Sequence, residues 1–268
     1  MHLIFFGDNR YGKIVFNTLS QTNKFKLTPY SPSLTIDKNA IGVVASYGNI
    51  LSAELIDNFS QIVCLHPSLL PQYRGATPAP YAIAMGDKET GITLFHLTAK
   101  IDQGEVIAQQ KEPIYNRDTT PLLLTRLFTL GSNLLINWLT DNPTHQHANP
   151  PTRQQTHSPL IFTRRFTRQT GYLEWNTFLQ LIENQPIMVT DTSNTLLTLR
   201  LTRNPSSSQD MLHDLTRALT PWPAVWTIAK TKKGHLHLIL TQVKPKLMVK
   251  IEGKPKPISW QDFTTYYL

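Results

Sequence analysis

The chain has 268 residues, 40% of them hydrophobic, and 26 Lys+Arg against 18 Asp+Glu give it a net charge of +8; that is enough apolar material for one large or two ordinary folded, soluble domains. No unbroken apolar run approaches the roughly 20 residues of a membrane span, and the opening Met1-His2-Leu3-Ile4-Phe5-Phe6-Gly7 breaks too early for a signal peptide. A single cysteine, Cys64, excludes an intramolecular disulfide and a cysteine-built zinc cage, which agrees with a reducing, cytoplasmic address; no membrane partner, no metal and a monomeric chain are further expectations.

In chain order, residues 3–6 read as a buried strand ending at Gly7, and the apolar spacing over 14–19 predicts a helix. Residues 24–29 are extended, 41–46 form a third apolar run, a helix is predicted across 52–59, and 62–65 form a fourth run. Strands alternating with helices predict an α/β fold with a doubly wound, mostly parallel sheet. Ligands of such sheets sit at the carboxyl ends of the strands, which directs attention to the loops after Ser46 and Leu65. Strands over 91–97 and 106–110 follow, then a long amphipathic helix over 120–139 opened by Thr119, Thr120 and Pro121.

Residues 1–110 carry 8 basic and 8 acidic side chains, whereas 111–268 carry 18 and 10. From Asn142 to Gln169 there is no acidic residue, and Arg153, Arg164, Arg165 and Arg168 fall there among several prolines. A basic, Pro-rich linker over 142–169 is predicted. It would attract a polyanion such as RNA by counterion release, or serve only as a solvated surface. Domains are accordingly expected over 1–141 and 170–268. Within the second, a helix is predicted over 175–183, strands over 187–190 and 196–201, a helix over 209–219, and strands over 226–229, 235–242 and 247–251: a smaller, mostly β domain.

Two patterns are set aside. Gly7-Asp8-Asn9-Arg10-Tyr11-Gly12-Lys13-Ile14 nearly spells a phosphate loop, but Ile14 stands where a Mg²⁺-binding hydroxyl is needed. His145-Gln146-His147 has no third metal ligand nearby. The densest chemistry lies in Cys64-Leu65-His66-Pro67-Ser68-Leu69-Leu70-Pro71-Gln72-Tyr73-Arg74-Gly75. A histidine leaving a buried strand can move a proton near neutral pH, or simply be structural. Asp102, in Ile101-Asp102-Gln103-Gly104, offers a carboxylate that such an imidazole could face.

These segments, with Arg74-Gly75-Ala76, Gly86-Asp87-Lys88-Glu89-Thr90-Gly91 and 43–51, resemble in order and spacing the signature of the 10-formyltetrahydrofolate-dependent formyltransferase family. The resemblance implies a formyl-donor domain in which His66 and Asp102 are catalytic, and in which Ser68, Leu69, Leu70 and Pro71, with Tyr47 and Gly48, contact the folate cosubstrate. Cys64 takes the place of the family's catalytic asparagine, where an amide would donate to the oxyanion more strongly than a thiol. A nucleophilic thiol activated by His66 is a further reading of Cys64, and a small buried residue is the plainer one.

Residues 217–227, with Pro221-Trp222-Pro223, and the ending Trp260-Gln261-Asp262-Phe263 resemble the methionyl-tRNA formyltransferase branch. That implies an OB-like β-barrel over 170–268, formyl transfer to methionyl initiator tRNA, and RNA contacts from Arg164, Arg165, Arg168 and Arg217. The segment 30–40 is short for that branch, with Lys38 its only basic residue, and residues 176–220 hold an insertion. The alternatives are a formyltransferase acting on a sugar nucleotide, and a catalytically weakened folate- or RNA-binding homologue.

Overall fold

The computed structural model describes residues 1–141 and 160–268. In the first part the elements run β1 (His2–Phe6), α1 (Arg10–Gln21), β2 (Lys26–Pro29), β3 (Ile41–Ala45), α2 (Ala53–Asp57), β4 (Gln61–His66), β5 (Arg74–Gly75), α3 (Pro78–Ala84), β6 (Glu89–His96), β7 (Val106–Pro113) and α4 (Thr120–Asp141). Six of these strands form one sheet in the order β2-β1-β3-β4-β6-β7. Neighbours among β2, β1, β3 and β4 are parallel, and β6 alone runs antiparallel to both β4 and β7. The expected mostly parallel α/β sheet is therefore present. Every residue of β3 is buried, the signature of a central strand covered on both faces.

Sheet order reverses between β1 and β3, so their carboxyl ends open a crevice of the kind in which α/β proteins hold ligands. Asn9 joins the two loops there. Its Oδ1 caps α1 by accepting from Tyr11 and Gly12 N–H, and its Nδ2 donates to Ser46 O at 2.8 Å. The phosphate-loop-like glycines have a packing explanation, since a Cβ on Gly7 or Gly12 would come within 2.7 or 2.8 Å of Ala45 O.

Helix α4 buries Leu123, Leu127, Phe128, Leu135, Trp138 and Leu139, the stripe of an amphipathic helix. Its 22 residues and mean hydropathy of 1.3 also meet the length and composition of a membrane span, a property that a search for an unbroken apolar run passes over. Its Phe128 stacks on Tyr11 of α1 at 5.8 Å, and its Arg126 Nε pairs with Glu112 Oε1 of β7 at 2.7 Å.

The remaining elements are β8 (Phe162–Thr163), α5 (Trp175–Ile182), α6 (Thr195–Arg203), α7 (Ser208–Leu219), β9 (Val225–Thr231), β10 (Gly234–Gln242), β11 (Met248–Ile251), β12 (Ile258–Ser259) and α8 (Trp260–Tyr267), with short 3₁₀ turns at Arg168–Gly171 and Val189–Asp191. The expected strands over 187–190 and 196–201 are corrected to the second of those turns and to helix α6. Asn194 caps α6 by accepting from Leu197 N–H at 3.0 Å, and Leu196, Leu197 and Arg200 then fall on one buried helical face. The mostly β reading is corrected with it, because helices of 8, 9, 12 and 8 residues outweigh strands of 7, 9, 4 and 2. Among the described residues, its strands form an antiparallel sheet in the order β12-β11-β10-β9.

The described chain divides into two compact units, one of Met1–Ala79, Glu89–Ile114 and Leu122–Arg164, the other of Pro80–Lys88, Tyr115–Pro121 and Arg165–Leu268. Residues 142–159, most of the expected linker and with it His145, His147 and Arg153, lie outside the described residues.

Candidate active site

Alternation along β4 puts Ile62, Cys64 and His66 on one face. Cys64, paired in register with Val44, packs against an apolar cluster that includes Ile4, Phe6, Val44 and Ile62. His66 closes the strand and is 5% exposed. Its Nε2 lies 3.0 Å from Tyr73 O. A carbonyl only accepts, so Nε2 carries the proton and donates, and Nδ1 is the basic atom of the neutral ring. That atom faces Asp102 Oδ2 at 3.7 Å.

Asp102 sits in the connection between β6 and β7 with a left-handed φ of +50°. Its Oδ2 also accepts the Gly75 N–H at 2.7 Å, which fixes the carboxylate against the strand that carries Gly75. Burial holds the His66 imidazole below its ordinary pKa; Asp102 and the bond to Tyr73 O work the other way, and the Arg74 charge adds to the depression. The resting ring is neutral at neutral pH. Burial, reinforced by Asp102, pushes the Cys64 thiol far up, so it stays protonated. With its packing in the apolar cluster, this favours the plainer reading of Cys64 as a small packing residue, since a thiol held in its neutral form is neither a good nucleophile nor a strong donor.

The loop after β4 is held by a hydrogen-bond network that reaches β6 and β7. Ser68, fully buried, donates its hydroxyl to Gln72 O at 2.7 Å, and its carbonyl accepts from Thr93 Oγ1 at 2.6 Å. Thr93 Oγ1 accepts from Leu70 N–H at 3.1 Å, and Gln109 Nε2 donates to both Leu70 O and Thr93 Oγ1 at 2.9 Å. Ser68 thus shapes the loop from within and Leu70 is buried, while Leu69 and Pro71 stay partly exposed. Thr93 and Gln109 escaped the sequence reading. They are direct partners in the β6–β7 register, a pairing that only the fold reveals.

At the neighbouring carboxyl end, Tyr47 packs edge-on against Phe6 at 5.6 Å, and Gly48 N–H reaches Asp8 Oδ2 at 3.4 Å. Of the arginines expected on RNA, Arg164, Arg165 and Arg168 are exposed. Arg168 pairs with Glu252 at 3.3 Å and lies over the Trp226 ring at 5.2 Å. Arg217 is a correction, for it is 8% exposed and its guanidinium donates to Tyr115 O at 3.1 Å, Asp118 O at 2.7 Å and Asp214 Oδ1 at 2.6 Å. Buried and turned inward, it is not part of the exposed basic surface that an RNA backbone would meet. Among the described residues no cluster of three or more His, Cys, Asp or Glu could hold a metal.

The formyl transferase family profile matches residues 30–139, which include His66 and Asp102. Methionyl-tRNA formyltransferase of Roseiflexus sp. (strain RS-1) is 33% identical over 189 residues, covering 70% of this chain and 48% of that protein. The enzyme of the same name from Streptococcus pyogenes serotype M3 (strain ATCC BAA-595 / MGAS315) is 32% identical over 142 residues, 53% of this chain and 45% of its own. The chain thus spans about half the length of the curated relatives it matches. Among solved structures, methionyl-tRNA formyltransferase from Clostridium thermocellum superposes with a TM-score of 0.57 at 16% identity, covering 97% of this chain and 99% of that one. A sugar N-formyltransferase from Shewanella sp. FDAARGOS_354 gives 0.58 at 16%, covering 91% and 97%. The two likenesses show a shared fold. Through residues 30–139, the segment that holds His66 and Asp102, the chain matches the formyl transferase family.

Proposed function

We propose that this protein transfers a formyl group from 10-formyltetrahydrofolate to the amino group of methionyl initiator tRNA. The observation that carries the reading is the His66–Asp102 pair, with Nδ1 and Oδ2 3.7 Å apart in a buried site. The amine nitrogen attacks the formyl carbon, and its carbonyl becomes an alkoxide as the nitrogen becomes an ammonium. A neutral imidazole accepts the ammonium proton at Nδ1, and the adjacent carboxylate stabilises the imidazolium so formed. Collapse of the adduct breaks the bond to N10, which receives that proton, giving a formamide and tetrahydrofolate. His66 enters as a base and leaves as an acid.

The partly exposed Leu69 and Pro71, with half-buried Tyr47 and exposed Gly48 on the next loop, are suited to the folate ring; Leu70 and Ser68 lie beneath them as support. Exposed Arg164, Arg165 and Arg168 suit an RNA backbone. The antiparallel C-terminal sheet is compatible with the expected OB-like platform, and a cytoplasmic monomer fits the reaction. A sugar nucleotide as acceptor is the second reading, favoured by the short 30–40 segment.

The test is formyl transfer assayed with charged initiator tRNA and with an amino-sugar nucleotide. Transfer to the tRNA that falls by about 10²–10⁴-fold in His66→Ala is expected. Equal rates for wild type and His66→Ala would overturn the catalytic assignment, and transfer to the sugar nucleotide alone would overturn the acceptor.

A further inference from the structure

A cavity of about 690 Å³, sharing no residue with the His66 site, opens in the second compact unit. Its walls come from Lys88, from Asn116, Arg117 and Thr119, from helices α6 and α7 with the segment between them and Thr220 after them, and from the end of β10 with the turn after it. The volume is that of a small-ligand site.

The ionic lining is mainly basic, with Lys88, Arg117, Arg200, Arg217 and Lys244 against Asp210 and Asp214. The acids are already engaged. Asp214 takes Arg200 at 3.2 Å and Arg217 at 2.6 Å, and Asp210 takes Lys244 at 2.7 Å. Asp118, behind the wall, accepts the Tyr115 N–H at 2.8 Å. Lys88 and Arg117 are exposed at the cavity and have no acidic partner among the described residues.

Both of these cations sit on segments pinned by buried or half-buried arginines. The turn bearing Lys88 is held by Arg200 donating to Met85 O, by Asn204 Nδ2 donating to the same oxygen at 3.2 Å, and by Arg203 on Asp87 at 3.6 Å. The loop bearing Arg117 is held by Arg217 on Tyr115 O and Asp118 O. Arg217 Nε, buried in the same wall, still has no acceptor among the described residues. Hydroxyls of Thr119 and Ser206 complete a set of donors. Cations held in place before a ligand arrives lose little entropy on binding one, and a phosphate offers the acceptor oxygens they call for.

We propose that this cavity binds the phosphate groups of a phosphate ester, of a size that takes a nucleoside diphosphate. The same chemistry could be presented by a soluble nucleotide or by the phosphates of an RNA chain. The inference goes beyond formyl transfer and does not depend on it.

Isothermal titration calorimetry of the full chain with inorganic pyrophosphate is the test. Saturable one-to-one binding is expected, weakened roughly tenfold or more in Lys88→Ala/Arg117→Ala. Both residues are exposed, so the urea midpoint should not move, and Lys256→Ala, an exposed change outside the cavity, should bind as wild type does. Absent or non-saturable heat, or equal binding by the double variant, would overturn the proposal. Displacement of pyrophosphate by a nucleoside diphosphate would support a soluble nucleotide, displacement only by a short oligoribonucleotide would support RNA, and displacement by neither would overturn the phosphate-ester class.

Discussion

Cys64 and His66 stand two residues apart on one face of β4, yet their surroundings assign them opposite tasks. Burial lowers the imidazole and raises the thiol; each is held in its neutral form, which leaves the ring able to take a proton and gives an oxyanion only the weak S–H donor of the thiol. Loss of one oxyanion donor typically costs about 10²–10³ in rate. Cys64→Asn should therefore raise kcat by about that factor with little change in KM, the pattern of an interaction made only in the transition state. Single-turnover formyl transfer measures it directly. An unchanged or lower kcat would show that the site is complete around sulfur, which the packing of Cys64 against Val44 and Ile62 leaves as the rival outcome. The resemblance pairs His66 with Asp102, and the fold brings them within 3.7 Å. Thr93 and Gln109 were not legible, because their pairing across β6 and β7 joins residues whose local sequence carries no signal of it.

At the level of elements, apolar runs announced β1, β3 and β4 because central strands of a parallel sheet are buried on both faces. Strands β5 and β8 were invisible for the opposite reason. They are two residues each, and they pair Arg74 with Phe162 and Gly75 with Thr163, a contact that no local pattern encodes. Helix α6 misled because Leu197, Leu199 and Leu201 alternate as a strand would, while the competing signal, Asn194 as a helix cap, is a single residue. Helix α7 misled through Arg217, whose charge reads as surface. Asp214, one turn earlier, and the carbonyls of Tyr115 and Asp118 turn it inward. Arg217→Ala should accordingly cost about 3 kcal/mol of stability by stranding part of a buried ion network. Urea unfolding should show a lowered midpoint for Arg217→Ala and an unchanged one for Arg164→Ala; equal midpoints would return Arg217 to the surface.

For the molecule as a whole, the +8 net charge matters less than where its exposed part lies. Gly75 N–H on Asp102 and Thr77 Oγ1 on Arg164 O at 2.7 Å anchor the segment that follows β8 to the same stretch of chain that steadies the Asp102 carboxylate. Arg164 and Arg165 therefore emerge from a backbone anchored at Arg164, where phosphate contacts could orient an acceptor. If that acceptor is RNA, each phosphate neutralised releases counterions, and log(kcat/KM) should fall linearly with log salt when binding limits the rate. Replacing both arginines should lower the magnitude of that slope by about 1–2 while leaving transfer to a small amine acceptor unaffected. The comparison separates charge that guides RNA from charge that only solvates the surface, because solvating charge would leave the slope of Arg164→Ala/Arg165→Ala equal to that of wild type.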